Sequence, residues 1–485
     1  MAKTIVELVF IPAPAVGHIM SMIEIAKLLI SRDHQISITV LVVKPPSTFG
    51  SAITTYIESL FKNAMDRISF IALHQDETLP VHDTKVDPMT TFIEFINSHS
   101  KHVRKIVAGK ISQQGSTRVV GFVVDMLCTG MTDVANEFNV PTYVFFPSNA
   151  GFLGFKLYIQ TLCDDHNEDI VKLSSSDSTI SIPSFMNPVP TKVFPGVVQT
   201  QEGLDFILRS ARKLREARAI IVNTFMELET HAIESLLEDN TIPPVYPVGP
   251  ILNLESIAGK GSGNDDIITW LDSQPPSSVV VLCFGSMGSF DEVQVKEIAH
   301  GLERSGHHFV WSLRQTSIDQ KTGAPTDYQD PRTVLPEGFL ERTAGIGKVT
   351  GWLPQVALLA HCAVGGFVSH CGWNSLLESL WFGVPSATWP IYAEQQMNAF
   401  EMVVEHGLAV EIKLDYKKDF VNHEVDKVVV TAKEIESGVR RLMEDNKVRR
   451  KVKDMMAKSR AAVVDGGASY ESVGSLILDF KRNIS

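Results

Sequence analysis

The stretch of sequence that decides the fold runs from Trp352 to Gln395 and reads WLPQVALLAHCAVGGFVSHCGWNSLLESLWFGVPSATWPIYAEQ. Within it, the apolar run at 365–369 predicts a short buried strand, and 374–381 repeats apolar side chains at helical spacing. A helix amino terminus carries roughly half a positive charge and several unpaired backbone N–H groups. The turn between this strand and this helix is therefore suited to bind a phosphate group.

Side chains suited to each part of a nucleotide sugar follow one another along the same stretch. Trp352 offers a flat face for a base, and Glu378, one turn into the helix, can accept hydrogen bonds from a ribose diol. A protonated His370 would bring positive charge to the phosphates. Further groups for phosphate and for sugar hydroxyls complete the set: Asn374, Ser375, Glu394 and Gln395.

The rest of the chain repeats a strand–loop–helix theme in two halves. Short apolar runs predict strands at 7–11, 36–43, 68–73, 119–124, 142–146, 219–222, 245–248, 278–284 and 308–313. Near-continuous apolar strands that alternate with helices indicate doubly wound parallel sheets. Because each half opens with a strand, a small-residue loop and a helix, we expect two Rossmann-like domains of the α/β class, facing each other across a cleft that holds the site.

The 352–395 stretch resembles, over its full length and without a gap, the UDP-sugar-binding signature of the plant family 1 glycosyltransferases that act on secondary products. The resemblance implies the GT-B fold and an inverting transfer of a sugar from UDP. Trp352 then stacks on uracil, while Gln355 and Glu378 reach the ribose. The complete set of residues implied for UDP-sugar binding is Ser286, Trp352, Leu353, Gln355, His370, Trp373, Asn374, Ser375, Glu378, Glu394 and Gln395.

Details of the signature point to glucose as the sugar. Gln395 resembles glucose-preferring members, in which histidine at this position often marks galactose. Trp373 is similar to the same group, because glucuronate users tend to place arginine there. Glu394 stands where aspartate is commoner, which leaves a contact with sugar hydroxyls in place. UDP-glucose is thus expected as a co-substrate, with no cofactor and no metal.

Domain bounds follow from composition together with the resemblance. We expect an acceptor-binding domain at 1–250, a Gly- and Ser-rich linker at 251–264, the UDP-sugar-binding domain at 265–465, and a helix at 466–485 that crosses back to the first domain. A chain of 485 residues is too long for a single core.

The net charge of −12 argues against a nucleic-acid partner, and no run reaches the roughly 18 apolar residues of a membrane span. No signal peptide is expected, since Glu7 and Pro12 interrupt the apolar start. The odd number of cysteines, five, is typical of reduced thiols rather than disulfides. His361-Cys362 and His370-Cys371 lack the CxxC spacing of a zinc site. A monomeric cytoplasmic protein is expected.

Two residues in the first half predict the chemistry. His18 ends the loop 12–18 before a helix expected at 20–30, and Asp125 follows the strand at 119–124. Taken alone, each has a structural alternative, a histidine at a helix start or a carboxylate that caps a helix. The family places its catalytic histidine and supporting aspartate at the positions that match here, so the resemblance implies that His18 is the general base and Asp125 its partner.

The acceptor is less readable from the sequence. An apolar lining would suit a flat or lipophilic alcohol or phenol, and its candidates, each of which is equally compatible with plain core packing, are Ala15, Met126, Phe146, Phe152, Met186 and Met287. The amino-terminal stretch resembles enzymes of plant secondary metabolism that glucosylate flavonoids, simple phenolics and terpenoids.

Two other functions compete with transfer. A nicotinamide-dependent oxidoreductase would share the two Rossmann-like halves, but the loops at 12–18 and 285–288 lack the G-x-G-x-x-G spacing, and the second strand ends at Lys44 without an acidic residue. A GT-B protein that binds UDP-sugars without transferring them would keep the signature but would not need His18 and Asp125.

Overall fold

The computed structural model describes residues 5–45, 51–73, 88–112, 117–254, 265–316, 324–418 and 428–483. It contains two parallel sheets, each covered by helices on both faces, which confirms the expected doubly wound α/β architecture. Two short two-stranded ribbons accompany them, β6 (Thr179–Ile180) with β7 (Val189–Pro190) and β12 (Arg314–Gln315) with β13 (Thr326–Asp327).

The first sheet has seven strands in the order β3-β2-β1-β4-β5-β8-β9, and every neighbouring pair is parallel. Its strands are β1 (Ile5–Ile11), β2 (Ile36–Val43), β3 (Ile68–Leu73), β4 (Thr117–Asp125), β5 (Thr142–Phe146), β8 (Ala219–Val222) and β9 (Val245–Pro247). Its helices are α1 (Val16–Arg32), α2 (Ser51–Lys62), α3 (Pro88–Ser98), α4 (Ser100–Ser112), α5 (Thr132–Glu137), α6 (Ala150–His166), α7 (Ile170–Ser174), α8 (Gln201–Glu216) and α9 (Thr230–Glu238).

The second sheet has six strands in the order β14-β11-β10-β15-β16-β17, again parallel throughout. Its strands are β10 (Val279–Cys283), β11 (His308–Ser312), β14 (Gly347–Thr350), β15 (Val364–Ser369), β16 (Ser386–Thr388) and β17 (Ala409–Glu411). Its helices are α10 (Asp265–Asp272), α11 (Glu292–Ser305), α12 (Phe339–Arg342), α13 (Gln355–Leu359), α14 (Trp373–Phe382), α15 (Gln395–Phe400), α16 (Ala432–Glu444) and α17 (Asn446–Ala462), and a π-helical turn over 401–405 extends α15.

The last helix, α18 (Ala468–Arg482), packs against the first sheet although it follows the second in sequence. Tyr143 on β5 donates to Asp479 at 2.9 Å, and the Phe480 ring lies edge-on to Tyr143 with centroids 4.5 Å apart. Arg218 forms an ion pair with Asp479 at 2.7 Å. Aromatic and charged contacts therefore fasten the carboxyl-terminal helix to the first domain.

Strand order fixes where each sheet can bind a ligand. In a doubly wound sheet, a crevice opens at the carboxyl ends of two neighbouring strands whose connections leave in opposite directions. The connections change direction between β1 and β4 in the first sheet and between β10 and β15 in the second. The residues that follow these four strands are thus placed at the two crevices by the topology alone.

The main departure from the predicted elements lies at the start of α1. The sequence predicts a helix over 20–30, but α1 begins at Val16, so His18 stands in its first turn instead of in the preceding loop. Ala15 is the cap residue, and no side-chain hydrogen bond marks the boundary, which is why the sequence gives little signal there. Of the predicted linker at 251–264, residues 255–264 lie outside the described part of the chain.

None of the helices in the described ranges combines the length and the apolar content that crossing a bilayer requires.

Candidate active site

His18 and Asp125 meet at the crevice of the first sheet. The Nδ1 atom of His18 lies 2.8 Å and 3.0 Å from the two carboxylate oxygens of Asp125. A carboxylate can only accept, so the proton of the ring stays on Nδ1 and the lone pair is on Nε2. The pair therefore presents a base whose tautomer is fixed by its partner.

The environment of this pair favours the protonated ring. Asp125 is fully buried and also accepts the N–H of Leu127 at 2.9 Å, which holds the carboxylate in place. Burial alone lowers the pKa of His18, but the charge and hydrogen bond of Asp125, with a smaller contribution from Glu394, raise this pKa above the usual histidine value. His18 can thus take up a proton during a reaction and remain stabilised while it carries it.

The crevice of the second sheet is formed by the turn between β15 and α14. Cys371 has φ 64°, the left-handed region that a side chain rarely adopts, and Gly372 caps α14 without any side-chain hydrogen bond. Consequently the first backbone N–H groups of α14, at 373–375, have no side-chain cap. Uncapped N–H groups at a helix amino terminus form an anion site, as the sequence predicts for a phosphate.

His370 is packed inside this turn. A Cβ atom at either Gly285 or Gly372 would lie 2.5 Å from Nε2 of His370, so only glycine fits on both sides of the ring. Burial lowers the pKa of His370 to about 4. A ring with this pKa and no carboxylate partner is neutral near pH 7, which argues against a cationic His370, while its contact with phosphate stays a prediction.

Three polar residues form a connected group at the start of α13 and α14. Nε2 of Gln355 donates to Glu378 at 2.6 Å and to Ser375 at 2.9 Å. Burial raises the pKa of Glu378 to about 7, although the hydrogen bond from Gln355 works in the opposite direction. The three residues that the signature assigns to ribose and phosphate are thus brought together.

Trp352 and Leu353 differ in exposure although they are adjacent in sequence. Because Trp352 is 47% exposed, its indole offers a face to a base. The Arg314 guanidinium lies 5.4 Å from the centroid of the same ring. The Leu353 side chain is buried in the core beside Phe367. A role for Leu353 in UDP-sugar binding can therefore involve only its backbone.

Trp373 and Asn374 occupy the contact between the domains. The indole N–H of Trp373 donates to the carbonyl of Asn223 at 2.7 Å, and the indole is buried. Nδ2 of Asn374 donates to Ser21 Oγ and to the Gly17 carbonyl, both at 3.1 Å. Both side chains thus hydrogen-bond to the first domain, and the expected contacts of Trp373 with hexose and of Asn374 with phosphate stay predictions.

The loop before α15 carries the two residues predicted for the hexose. Glu394 accepts a hydrogen bond from Ser148 of the first domain at 3.1 Å. Oε1 of Gln395 accepts the backbone N–H groups of Ile391 at 2.9 Å and Tyr392 at 3.0 Å. Glu394 thus spans the cleft, while Gln395 fixes the shape of its own loop.

The predicted acceptor residues separate into three groups. Ala15 and Met287 are half-buried at the two crevices, and Met287 is adjacent to the half-buried Ser286 in the turn after β10. Met126, Phe146 and Phe152 belong to the first-domain core, and Phe146 is fully covered, as in the plain-core alternative. 

Met186 lies apart from the other acceptor candidates. It is 57% exposed and lines a cavity of about 320 Å³ whose lining residues do not include His18 or Asp125. Met186 therefore lies in a cavity separate from the catalytic pair, and its role in acceptor binding stays a prediction.

Two polar residues at the cleft were missed by the sequence reasoning. Asn223 follows β8 and contacts both Trp373 and Asn374, with its Nδ2 donating to Asn374 Oδ1 at 3.3 Å. Lys156 is 1% exposed on α6. For Lys156, the sequence signal was a lysine within the apolar helix segment 150–160. Asn223 gave no local signal, because its partners lie about 150 residues away in sequence.

Comparison with known proteins gives this geometry a family. The family described as "UDP-glucoronosyl and UDP-glucosyl transferase" matches residues 8–434. A UDP-glucose flavonoid 3-O-glucosyltransferase of Fragaria ananassa is 50% identical over 482 residues, which cover 97% of this chain and 98% of the relative. This match extends over nearly the full length of both chains and excludes the oxidoreductase alternative.

Solved structures agree in fold over nearly the whole chain. A Medicago truncatula enzyme, UGT71G1, complexed with UDP-glucose has a TM-score of 0.86 and 41% identity, with 99% of both chains covered. A transferase from Siraitia grosvenorii in complex with UDP has a TM-score of 0.85 and 44% identity, covering 98% of this chain and 100% of the other. The chain therefore belongs to the plant family 1 UDP-glycosyltransferases, enzymes of the GT-B fold that use a UDP-sugar donor.

Proposed function

We propose that this enzyme transfers glucose from UDP-glucose to a hydroxyl group of a small lipophilic plant metabolite and forms a β-O-glucoside. The observation that carries the proposal is the His18–Asp125 pair, with Nδ1 bound to the carboxylate and Nε2 left to act as a base. A protein that only binds UDP-sugars has no need of such a pair.

The acceptor is activated at the first crevice. As the acceptor oxygen attacks the anomeric carbon, its proton moves to Nε2 of His18, and Asp125 stabilises the imidazolium that forms. The new bond joins this oxygen to the anomeric carbon, and the bond from that carbon to the UDP oxygen breaks. Attack from the face opposite UDP inverts the α-linked donor to a β-glucoside.

The leaving group is stabilised at the second crevice. UDP departs as an anion and needs no proton, so the charge has to be held by fixed dipoles. The uncapped N–H groups at the start of α14 supply those dipoles, together with Ser375 in its first turn, and Ser286 follows Gly285, which packs against His370. With His370 neutral, the backbone carries this role rather than a side-chain charge.

The donor assignment is supported by the group around Glu378. Gln355 of the second domain donates to both Ser375 and Glu378, and the exposed Trp352 precedes Gln355 by three residues. These residues offer stacking for uracil and acceptors for a ribose diol. The name of the Fragaria relative, a flavonoid 3-O-glucosyltransferase, supports an acceptor of the phenolic class.

The proposal is tested by incubating the purified enzyme with UDP-glucose and a panel of flavonoids, simple phenols and terpenoid alcohols. We expect a glucoside whose anomeric proton shows the large coupling constant of the β-configuration in NMR. UDP-galactose and UDP-glucuronate serve as donor controls. A product with retained α-configuration, or release of UDP without any glucoside, would contradict the proposal.

A further inference from the structure

Lys156 is a buried lysine that the mechanism above does not use. It is on the second turn of α6, the helix that follows β5, and only 1% of it is exposed. Its Nζ donates to Ser210 Oγ at 3.0 Å and lies 5.7 Å from the Phe146 ring centroid and 6.0 Å from that of Phe206. Among the described residues, no carboxylate lies within ion-pair distance of it.

The position of this ammonium group is close to the first crevice. Ser210, which accepts from Lys156, donates in turn to the carbonyl of Met126 at 3.5 Å, and Met126 directly follows Asp125. Two hydrogen bonds thus link Lys156 to the backbone beside the catalytic pair. The charges of Glu394 and Asp125 act on Lys156 at longer range than an ion pair and raise its pKa slightly against the effect of burial.

An ammonium group in such a place lacks a carboxylate in direct contact with it. Lysine has three donors, of which Ser210 takes one, while the aromatic faces interact only weakly with the charge. Burial without an ion-pair partner is unfavourable for the charged form, and here it lowers the pKa of Lys156 to about 8. A ligand with an anionic oxygen would supply the missing partner.

We propose that Lys156 is a specificity residue that binds an anionic oxygen, such as a carboxylate, on the acceptor while another hydroxyl of the acceptor faces His18. This inference rests on the proposed function and narrows its acceptor class from lipophilic hydroxyl compounds to hydroxy acids with an aromatic or apolar body. The rings of Phe146 and Phe206 give the ammonium group an apolar environment, which an aromatic or apolar acceptor would extend.

A matched pair of acceptors tests the proposal: a hydroxycinnamic acid and its methyl ester, which differ only in the anionic group. We expect the wild-type enzyme to favour the acid in kcat/KM. The Lys156→Met variant, similar in shape but neutral, should lower the acid-to-ester ratio about tenfold or more, and Lys156→Arg should keep most of it. Lys172→Met, at an exposed position on α7, is the control and should leave the ratio unchanged.

A structural role for Lys156 gives a different result. In that case, Lys156→Met would lower the thermal midpoint and the turnover of both acceptors equally, so an unchanged acid-to-ester ratio overturns the proposal. Because the variant removes an uncompensated buried charge, we expect its thermal midpoint to equal or exceed that of the wild type.

Measuring acceptor binding without donor distinguishes a failure of the Lys156 proposal from a failure of the proposed transfer reaction. Tryptophan fluorescence titration with the acid and the ester, without any donor, measures the same preference in the absence of chemistry. If neither compound is glucosylated but the wild type binds the acid more tightly and Lys156→Met does not, the transfer proposal fails and the Lys156 site stands. If glucosylation occurs and neither measurement distinguishes acid from ester, the Lys156 proposal fails alone.

Discussion

The two crevices of the cleft each hold a histidine next to a helix amino terminus, and the two rings are in opposite states. His18 donates from Nδ1 to a fully buried carboxylate, and its pKa is raised. His370 is wedged between two glycines without a carboxylate, and burial lowers its pKa to about 4. Burial alone therefore makes a neutral ring, and burial with a charged partner makes a base.

A third histidine shows that the partner has to be charged. Nε2 of His406 lies 3.2 Å from Oε1 of Glu401, yet burial lowers the pKa of His406. Burial also raises the pKa of Glu401 to about 8, so this partner is a neutral acid near pH 7 and does not stabilise an imidazolium. Among these three sites, only the hydrogen bond and charge of Asp125 outweigh burial and raise the pKa of the histidine.

The comparison of His18 with His370 predicts that substitution of His18 has the largest effect on transfer activity. His18→Ala should lower kcat/KM for transfer by about 10³-fold or more, because no other group takes the acceptor proton. Affinity for UDP, measured by calorimetry, should stay close to that of the wild type, since the diphosphate site is on the other domain. His34→Ala, an exposed histidine, is the control. Unchanged turnover in His18→Ala would remove the base assignment.

The second largest effect is expected at Asp125. Asp125→Asn should lower kcat by about 10²-fold, because the neutral amide no longer fixes the tautomer or stabilises the imidazolium. A base works only when deprotonated, so wild-type activity falls as the pH drops through the raised pKa of His18. Without the carboxylate this pKa falls, and the acid limb of the kcat/KM profile should move to lower pH. An acid limb at the wild-type position would show that Asp125 does not set the pKa.

At His370 a smaller change is expected. His370→Gln should weaken UDP binding by about tenfold, since the replacement disturbs the packing between Gly285 and Gly372 without removing a charge. Because His370 is neutral across the working range, the acid limb of kcat/KM should remain where it is in the wild type. A shifted limb would mean that His370, and not only His18, titrates during the reaction.

A still smaller effect, on the preference between sugar donors, is expected at Gln395 beside the same crevice. Gln395→His should lower the preference for UDP-glucose over UDP-galactose by about threefold to tenfold, because the side chain no longer accepts both loop N–H groups, at Ile391 and Tyr392. The pH profile should not move. Competition assays with both donors measure the ratio, and an unaltered ratio would remove Gln395 from sugar selection.

The smallest effect on activity is expected at Glu401. A carboxyl whose pKa is raised in the folded state holds its proton there more tightly than in the unfolded chain, so stability declines as the pH rises from about 4.5 to about 8. Glu401→Gln should reduce the fall in thermal midpoint over this range and leave the transfer profile unchanged. An equally steep fall in the variant would show that Glu401 is charged in the folded protein.

Local sequence patterns predicted most of the fold. The strands β2, β3, β5 and β8 were predicted with their exact bounds because parallel strands covered on both faces are mostly apolar. The signature also indicated the helix amino terminus at α14, and the strand pattern of the first half, with the family resemblance, indicated His18 and Asp125 after neighbouring strands. The start of α1 was missed because no capping side chain marks it.

What the sequence did not predict depends on contacts between distant parts of the chain. Trp373 and Asn374 bind the first domain because the domains meet at Asn223, Gly17 and Ser21, which no local pattern indicates. The neutral state of His370 follows from burial, and the same residue in an exposed turn would titrate normally. Lys156 was likewise invisible, since the sequence does not show that an isolated lysine on an apolar helix lacks a carboxylate in direct contact with it.

The central claim concerns one imidazole of the first domain and one helix start of the second. The most direct test is a crystal structure of the enzyme with UDP-2-fluoro-glucose and a phenolic acceptor. We predict the diphosphate at the N–H groups of residues 373–375 and the acceptor hydroxyl within about 3.2 Å of His18 Nε2. A diphosphate bound elsewhere, or an acceptor hydroxyl that contacts a different base, would contradict the account.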